Sequence, residues 1–107
     1  MNTRNKGNRN ELKCQQELEA QGYFIQRAGY RRFAQNDFWG VGDMLAIKPN
    51  EILLVQVKSN AKPSKAVFQN IADFATKYPQ FKCEIWVHID RKGWRKWFFT
   101  TGTWVES

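Results

Sequence analysis

Two stretches of the chain carry the apolar spacing and the end signals of helices that lie on a sheet. The first spans residues 9–21 and stops at Gly22, a residue suited to the left-handed position that ends many helices. The second starts after Pro63, with Ser64 as its candidate N-cap, and stops at Pro79. Its apolar residues recur at i, i+1, i+4, i+7, i+8 and i+11, which predicts one buried face. We therefore expect two helices and assign the second to the core, without chemistry.

Shorter apolar runs predict five strands, which cover residues 23–27, 44–47, 52–55, 83–89 and 94–100. A Lys-Pro-Asn turn joins the second run to the third as a hairpin, and a further turn joins the fourth to the fifth. The fourth run alternates apolar with polar side chains, which is typical of a half-buried strand, and we expect its His88 to be exposed. The order αβββαββ predicts an α/β fold in which helices flank a mixed β-sheet, as a single domain over residues 1–107.

The chain is strongly basic, and its basic residues are clustered. Seventeen Lys and Arg against ten Asp and Glu give a formal net charge of +7. Such clustering in a small domain indicates a polyanionic partner, and it favours nucleic acid over a basic surface kept only for solubility. The residues predicted to contact nucleic acid are Arg4, Lys6, Arg9, Arg27, Arg31, Arg32, Lys62 and Lys65, and a further basic cluster comprises Arg91, Lys92, Arg95 and Lys96.

Other features of the composition indicate a cytoplasmic protein without a membrane partner. No apolar run is long enough to span a bilayer, and the N-terminus lacks the apolar stretch of a signal peptide. Residues 1–8 are polar and basic, and we expect a flexible arm there unless a ligand orders it. Cys14 and Cys83 are far apart and form no CxxC pair, so we interpret them as free packing thiols and expect no zinc site.

The segment AGYRRFAQNDFWGVG, over residues 28–42, interleaves aromatic residues with Arg31 and Arg32 between glycines. Such a loop could stack on bases and grip phosphates. Its aromatic side chains could equally fold back onto the core as a plug. The sequence leaves both interpretations open, and the two arginines are the stronger candidates for a contact with nucleic acid.

Polar groups gather at one end of the hairpin over residues 42–59. Because side chains alternate along a strand, Gln56 and Lys58 point the same way, and the returning chain brings Asp43 close to both. On a helical wheel, Glu11 falls on the face of the first helix that should be buried. Each of these residues taken singly is more often structural. Four polar groups bracketing apolar elements would be costly near a core, and the combination therefore favours a functional site.

These residue types suit the hydrolysis of a phosphodiester. Asp43 offers a carboxylate and Gln56 a carbonyl oxygen, both ligands that Mg²⁺ accepts, with phosphate and water completing the shell. Lys58 can position the attacking water, help to deprotonate it and offset negative charge at phosphorus. Glu11 would be a further ligand, directly or through water. A serine or histidine-metal mechanism would have to use His88, the only histidine, and neither a Walker loop nor a dinucleotide fingerprint is present.

The arrangement of these residues resembles the PD-(D/E)XK nuclease superfamily. A Glu in the first helix, then Gly-x-Gly-Asp-x-x-Ala-Ile, and then an apolar strand ending in Gln-x-Lys-Ser are most similar to the archaeal-type Holliday-junction resolvases and to small phage nucleases. The approach Lys6-Gly7, the exit Gly22-Tyr23 and the later Gly93-Trp94-Arg95 also resemble that group. Matched position by position, Glu11, Asp43, Gln56 and Lys58 fall on the catalytic residues. Gln56 stands where most members have an acid.

The resemblance implies a restriction-endonuclease-like core and a Mg²⁺-dependent endodeoxyribonuclease, with Mn²⁺ able to substitute. It further implies a homodimer that cuts branched DNA such as Holliday junctions in DNA recombination and repair, from a prokaryotic, archaeal or viral source. Two alternatives stay open. One is a nucleic-acid-binding module of the same fold that lost catalysis through Gln56, and the other is a ribonuclease or RNA-binding protein.

Overall fold

The computed structural model describes the backbone of residues 3–28 and 38–107, with side chains from residue 9 onward in these ranges. In chain order the elements are α1 (Thr3–Ala20), β1 (Phe24–Arg27), β2 (Met44–Lys48), β3 (Glu51–Ser59), α2 (Lys65–Lys77), β4 (Phe81–Ile89), β5 (Gly93–Thr100) and β6 (Thr103–Glu106). The strands form one sheet in the order β1-β2-β3-β4-β5-β6. Strands β3 and β4 pair in parallel and the other neighbours are antiparallel. The prediction of a mixed sheet flanked by helices is confirmed.

Each face of the sheet carries one helix and one apolar cluster. On the first face, Cys14 and Leu18 of α1 pack with Val55 of β3 and Trp86 of β4. On the second face, Ile71 and Ala75 of α2 pack with a cluster that includes Leu54, Cys83, Ile85, Val87 and Trp97. Because side chains alternate along a strand, neighbouring residues of β3 belong to different clusters. We call these two sides the α1 face and the α2 face.

Hydrogen bonds confirm the predicted C-terminal end of α1 and the predicted start of α2. At the end of α1, Gly22 N–H donates to Glu19 O (3.0 Å) and Tyr23 N–H to Leu18 O (3.1 Å). This pair of bonds is the Schellman motif, and Gly22 takes the left-handed φ of 97° that the motif needs. At the start of α2, the Ser64 hydroxyl accepts from Val67 N–H at 3.3 Å.

Helix α1 begins at Thr3 and not near Arg9, so it includes residues 3–8. The part of α1 that carries Cys14 packs on the sheet. Extending a helix that has already formed costs little, because each added residue gains one backbone hydrogen bond. The polar composition of residues 3–8 therefore did not indicate where the helix starts.

Strand β4 is buried on both faces, and the prediction of a half-buried strand was wrong. Trp86, one of the supposedly exposed alternating positions, is 2% exposed beneath α1. Its indole N–H donates to Glu84 at 2.8 Å, which satisfies the one polar atom of the ring. His88 is also half-buried, with its ring 5.0 Å from that of Trp94. The helix on this face covers positions that the alternation alone assigned to solvent.

Strand β6 was not predicted. Thr101 and Gly102 both have a left-handed φ, 47° and 81°, which is the geometry of a type I′ hairpin turn. The indole N–H of Trp104 then donates to Phe68 O of α2 at 3.0 Å, and Glu106 accepts two hydrogen bonds from the guanidinium of Arg95. The strand has four residues, too few to show an alternation of apolar and polar positions in the sequence. Its position is fixed by these contacts with residues of α2 and β5.

Cys14 and Cys83 are free and buried, as predicted. Burial raises the pKa of the Cys83 thiol to about 11 and raises the pKa of Cys14 still further, so both are inert thiols at neutral pH. No helix within the described ranges is long and apolar enough to cross a membrane.

The turn end of the β2–β3 hairpin is fixed by polar contacts to Glu51. The hydroxyl of Tyr23 and the ammonium of Lys82 both donate to its carboxylate. These hydrogen bonds lower the pKa of Glu51, while burial and the same bond to Glu51 raise the pKa of Tyr23 to about 12. The hairpin is therefore anchored at the end opposite to Asp43.

Candidate active site

Strands β2 and β3 separate at the end of the hairpin where polar residues were predicted to gather. Strand β2 begins at Met44, which pairs with Val55. Strand β3 continues to Ser59, and beyond Val55 it pairs with β4 alone. On the side of β3 that β2 has left, the described part of the chain supplies no further strand. A backbone N–H at this position needs another partner.

Asp43 supplies that partner. Its carboxylate oxygen Oδ2 accepts a hydrogen bond from Val57 N–H at 2.7 Å and a second from the side-chain amide of Gln56 at 3.1 Å. A backbone N–H of a strand points within the plane of the sheet, so the carboxylate occupies the place that β2 vacates. The Asp43 backbone is itself held on both sides, because its N–H donates to Val55 O (2.8 Å) and its carbonyl accepts from Ala28 N–H (3.0 Å).

The glycine before Asp43 is required by close packing. A Cβ at Gly42 would lie 2.6 Å from two side-chain carbons of Leu54, well inside van der Waals contact. Leu54 is buried in the α2-face cluster and has no space into which to move. The Gly-Asp pair therefore lets the chain approach β3 closely enough for Asp43 to reach Val57.

Gln56 and Lys58 share the α2 face with Leu54, while Val57 packs against the cluster on the α1 face. The predicted proximity of Asp43 and Gln56 is confirmed by their hydrogen bond. With its amide nitrogen committed to Asp43, Gln56 presents its carbonyl oxygen as the atom left for a ligand. Lys58 is half-buried, and no hydrogen bond or ion pair joins it to another residue of the described ranges.

Glu11 lies on the α1 face, in the helix that packs there, and not on the face of Gln56 and Lys58. Its carboxylate pairs with the guanidinium of Arg27 at 3.3 Å, with both side chains about a quarter to a third exposed. Within residues 9–28 and 38–107, no three His, Cys, Asp or Glu side chains are grouped so that they could hold a metal. The structure thus brings Asp43 and Gln56 into contact and pairs Glu11 with Arg27.

Comparison with known proteins supports the fold. No protein-family model matches the chain, and no curated protein matches it. Among solved structures, the chain is similar to Archaeoglobus fulgidus Hjc, a Holliday junction resolvase from an archaeal hyperthermophile. The TM-score is 0.63, with 94% of this chain and 87% of that chain covered, at 19% sequence identity. The chain has the restriction-endonuclease-like fold. Identity this low shows the fold alone.

In this restriction-endonuclease-like sheet, sequence reasoning missed one buried polar residue beside Lys58. Asn10 of α1 is 3% exposed, and its amide donates to the hydroxyl of Ser59 at 2.6 Å. The bond connects the residue before Glu11 with the residue after Lys58. Asn10 precedes Cys14 by one helical turn, so a wheel that includes this position would have placed it on the buried face.

The residues predicted to contact nucleic acid differ in their surroundings. Arg9, Lys62 and Lys65 are exposed. Arg27 is paired with Glu11, so its charge is partly neutralised. The side chains of Arg4 and Lys6, and all of Arg31 and Arg32, lie outside the described residues.

The two described aromatic residues of the loop before β2 fold back onto the protein. Phe38 packs against the α2-face cluster. The ring of Trp39 stacks on that of Phe74, with 5.8 Å between the ring centroids, and meets the ring of Phe81 edge-on, with 5.7 Å between the centroids. For these two residues the plug interpretation is borne out, although Trp39 stays 61% exposed. The other two aromatic residues, Tyr30 and Phe33, lie outside the described ranges.

Proposed function

We propose that this protein is a divalent-metal-dependent endodeoxyribonuclease that cuts branched DNA such as Holliday junctions. One observation carries the proposal. Asp43 and Gln56 are in contact at the point where β2 leaves β3, with Lys58 on the same face, in a fold similar to that of a Holliday junction resolvase. A carboxylate, an amide oxygen and an ammonium at one sheet edge suit phosphodiester hydrolysis.

The donor set fits Mg²⁺, with Mn²⁺ able to replace it. Asp43 supplies a carboxylate and Gln56 a carbonyl oxygen, both hard ligands, and a DNA phosphate and waters would complete the shell. The metal, when bound, neutralises the phosphate and polarises a water. One carboxylate is a small charge for a divalent ion, so we expect weak metal binding until DNA contributes its own oxygen. Glu11 would act through water, because it lies on the α1 face.

Lys58 takes the role of orienting the attacking water and offsetting charge at phosphorus. It is half-buried and makes no hydrogen bond or ion pair to another described residue, so its ammonium is available to a ligand. In the reaction the water oxygen bonds to phosphorus, the scissile P–O bond breaks, and the leaving oxygen takes up a proton. Partial burial strengthens the interaction of Lys58 with the charge that develops on phosphorus.

The test is cleavage of a panel of DNA structures in the presence of Mg²⁺ or Mn²⁺. The panel contains a four-way junction, a flap, a nicked duplex and a linear duplex of the same sequence. We expect the branched substrates to be cut and the reaction to stop when a chelator is added. An RNA duplex and single strand of the same sequence serve as competitors. No cleavage of any DNA, or preferential cleavage of RNA, would contradict the proposal.

A second candidate function is a DNA-binding module without catalysis. One support is the hydrogen bond between Gln56 and Asp43, which forms without a metal. The other is that no three His, Cys, Asp or Glu side chains among the described residues are grouped so that they could hold a metal. Calorimetric titration with Mn²⁺ separates the two candidates. The nuclease is expected to bind Mn²⁺ in the presence of an uncleavable DNA, whereas the binding module binds DNA with no dependence on metal.

We also propose that the protein acts as a homodimer, because two copies are needed to cut two strands symmetrically. An apolar row on the α2 face offers a surface: Phe24, which is 74% exposed, lies opposite Ile47 on the edge hairpin, and the row continues to Ile52 and Phe81. Among the described strands, β1 pairs on one side only, so this edge of the described sheet lies next to the row.

Sedimentation equilibrium checks the dimer. The wild type is expected at twice the monomer mass of 12.6 kDa, and Phe24→Glu is expected to shift the population toward 12.6 kDa. Leu12→Glu is a matched control, because Leu12 is an exposed apolar residue on α1, away from the row. A monomeric wild type would rule out the dimer. An unchanged mass for Phe24→Glu would place the interface elsewhere.

A further inference from the structure

The turn between β4 and β5 lies at the same end of the sheet as Lys58. Strands β3 and β4 are parallel, so their carboxyl ends meet, and Ser59 is in register with His88. The turn that follows carries Arg91 and Lys92, both exposed. The turn therefore lies at the end of β3 that carries Lys58.

Three hydrogen bonds fasten the turn to the segment that follows Lys58. Asn60 N–H donates to His88 O at 2.8 Å, Asp90 N–H donates to the side-chain carbonyl of Asn60 at 2.8 Å, and the Asn60 amide donates to Asp90 at 3.1 Å. Asn60 has a left-handed φ of 58°, a conformation that Asn tolerates better than most residues. The position of the turn relative to Lys58 is therefore set by a short, directly bonded connection.

The backbone at Arg91 is unusual for its residue type. Its φ is 68°, in the left-handed region that glycine and asparagine adopt readily and that strains an arginine. The turn is nonetheless closed, with Lys92 N–H donating to Ile89 O at 2.9 Å. A long cationic side chain is thus held, at some cost in backbone energy, at the tip of a fixed turn.

The cations of Arg91 and Lys92 differ from their basic neighbours in having no bonded partner among the described residues. Within the described ranges, neither side chain makes an ion pair or a hydrogen bond. Their basic neighbours behave differently, since Arg95 is bonded twice to Glu106, and Lys96 lies over the ring of Trp86. The two cations at the tip are therefore the part of the C-terminal basic cluster that is available to an external anion.

We propose that the Arg91-Lys92 turn binds the phosphate backbone of the DNA substrate, at a fixed distance from Lys58 that the Asn60–Asp90 bonds maintain. The proposal rests on the nuclease function proposed above and adds a contact on the second hairpin, on the far side of β3 from the loop that precedes Asp43. Phosphate contacts of this kind fix the register of DNA on a protein without reading its sequence.

The experiment compares two double variants with the same loss of charge. Arg91→Gln/Lys92→Gln removes the turn cations, and Arg95→Gln/Lys82→Gln removes two cations that are already paired with Glu106 and Glu51. Affinity for a four-way junction is measured by fluorescence anisotropy over a range of salt concentrations without divalent metal, so that no cleavage occurs. Thermal unfolding confirms that all proteins are folded.

We expect the turn variant to bind the junction about tenfold more weakly at low salt, with the salt-dependence slope reduced by about 1.8, as for two lost phosphate contacts. The control variant should stay close to the wild type. If both variants have the same affinity and slope while the wild type still cuts DNA, the turn contact is refuted and the nuclease function stands. If the wild type neither binds nor cuts DNA, both proposals are wrong.

Discussion

Asp43→Asn is expected to lower the rate of DNA cleavage by about a thousandfold, with little change in DNA affinity. Asparagine is nearly isosteric, and its carbonyl oxygen can still accept the hydrogen bond from Val57 N–H. The change removes the one full negative charge among the proposed metal ligands. Losing several kcal/mol of charge stabilisation corresponds to about three powers of ten in rate. Single-turnover cleavage of a four-way junction in Mn²⁺ measures the effect.

A matched control distinguishes loss of chemistry from loss of charge. Asp73→Asn makes the same substitution at an exposed carboxylate on α2 that accepts a hydrogen bond from Gln69 at 2.7 Å. It is expected to cut DNA at the wild-type rate. The unfolding free energy of Asp43→Asn should fall by about 1 kcal/mol at most, the usual value of one hydrogen bond. Wild-type cleavage by Asp43→Asn would remove Asp43 from the site, whereas a large loss of stability would assign it a structural role.

The arrangement of Asp43, Gln56 and Lys58 could be predicted from the sequence because it depends on local rules. Alternation along a strand puts Gln56 and Lys58 on one side, and a tight hairpin returns the chain to Asp43. The same holds for Gly22 and Ser64, whose roles depend on hydrogen bonds within a few residues. In each case the partners are close in sequence or linked by a short turn, and the structure bears out the contact between Asp43 and Gln56 and the roles of Gly22 and Ser64.

The placement of Glu11 could not be predicted in the same way. A helical wheel shows that Glu11 lies near the apolar stripe of α1, but the wheel does not show which face of the sheet the helix covers. The structure puts α1 on the face opposite to Gln56 and pairs Glu11 with Arg27. The bonds between Asn60 and Asp90 were likewise beyond reach, because they depend on the parallel register of β3 and β4 across the whole of α2.

The burial of β4 has a similar origin. The alternating pattern of this strand indicated one wet face, and a central strand of an antiparallel sheet often has one. Here a helix covers each face, and Trp86 fills the space beneath α1. The sequence alone does not show whether a large aromatic residue is exposed or buried. Trp86 is buried because Cys14 and Leu18 of α1, which are distant in sequence, pack in the same cluster. Tertiary packing therefore overrides the local pattern at the strand that neighbours the candidate site.

Gln56→Glu is expected to strengthen Mn²⁺ binding by a factor on the order of ten or more. The substitution places a second carboxylate next to Asp43, at the position where the Gln56 amide now lies 3.1 Å from Oδ2. Two charged oxygens hold a divalent ion more tightly than one, and the metal brings them together without repulsion. Calorimetric titration and the Mn²⁺ concentration needed for half-maximal cleavage of a four-way junction should both report the gain.

Without metal the same substitution should destabilise the fold. It replaces a hydrogen bond by repulsion between like charges in a partly buried place, a change expected to cost about 1–3 kcal/mol. Adding Mn²⁺ should then raise the melting temperature of Gln56→Glu more than that of the wild type, because a ligand that binds only the native state stabilises it. Thermal unfolding with a chelator and with Mn²⁺ measures this difference.

The chain offers a close chemical control for this substitution. Gln69 donates to Asp73 on the exposed side of α2 at 2.7 Å, so Gln69→Glu creates the same pair of carboxylates one helical turn apart and in solvent. It should show much weaker coupling between stability and Mn²⁺, because the exposed side chains are not held in place for a metal. If Gln56→Glu behaves like Gln69→Glu, the edge where β2 leaves β3 is not a metal site, and the DNA-binding module becomes the better account of the protein. If the two differ as expected, the wild-type glutamine weakens an otherwise ordinary metal site, and DNA phosphate must supply what the protein lacks.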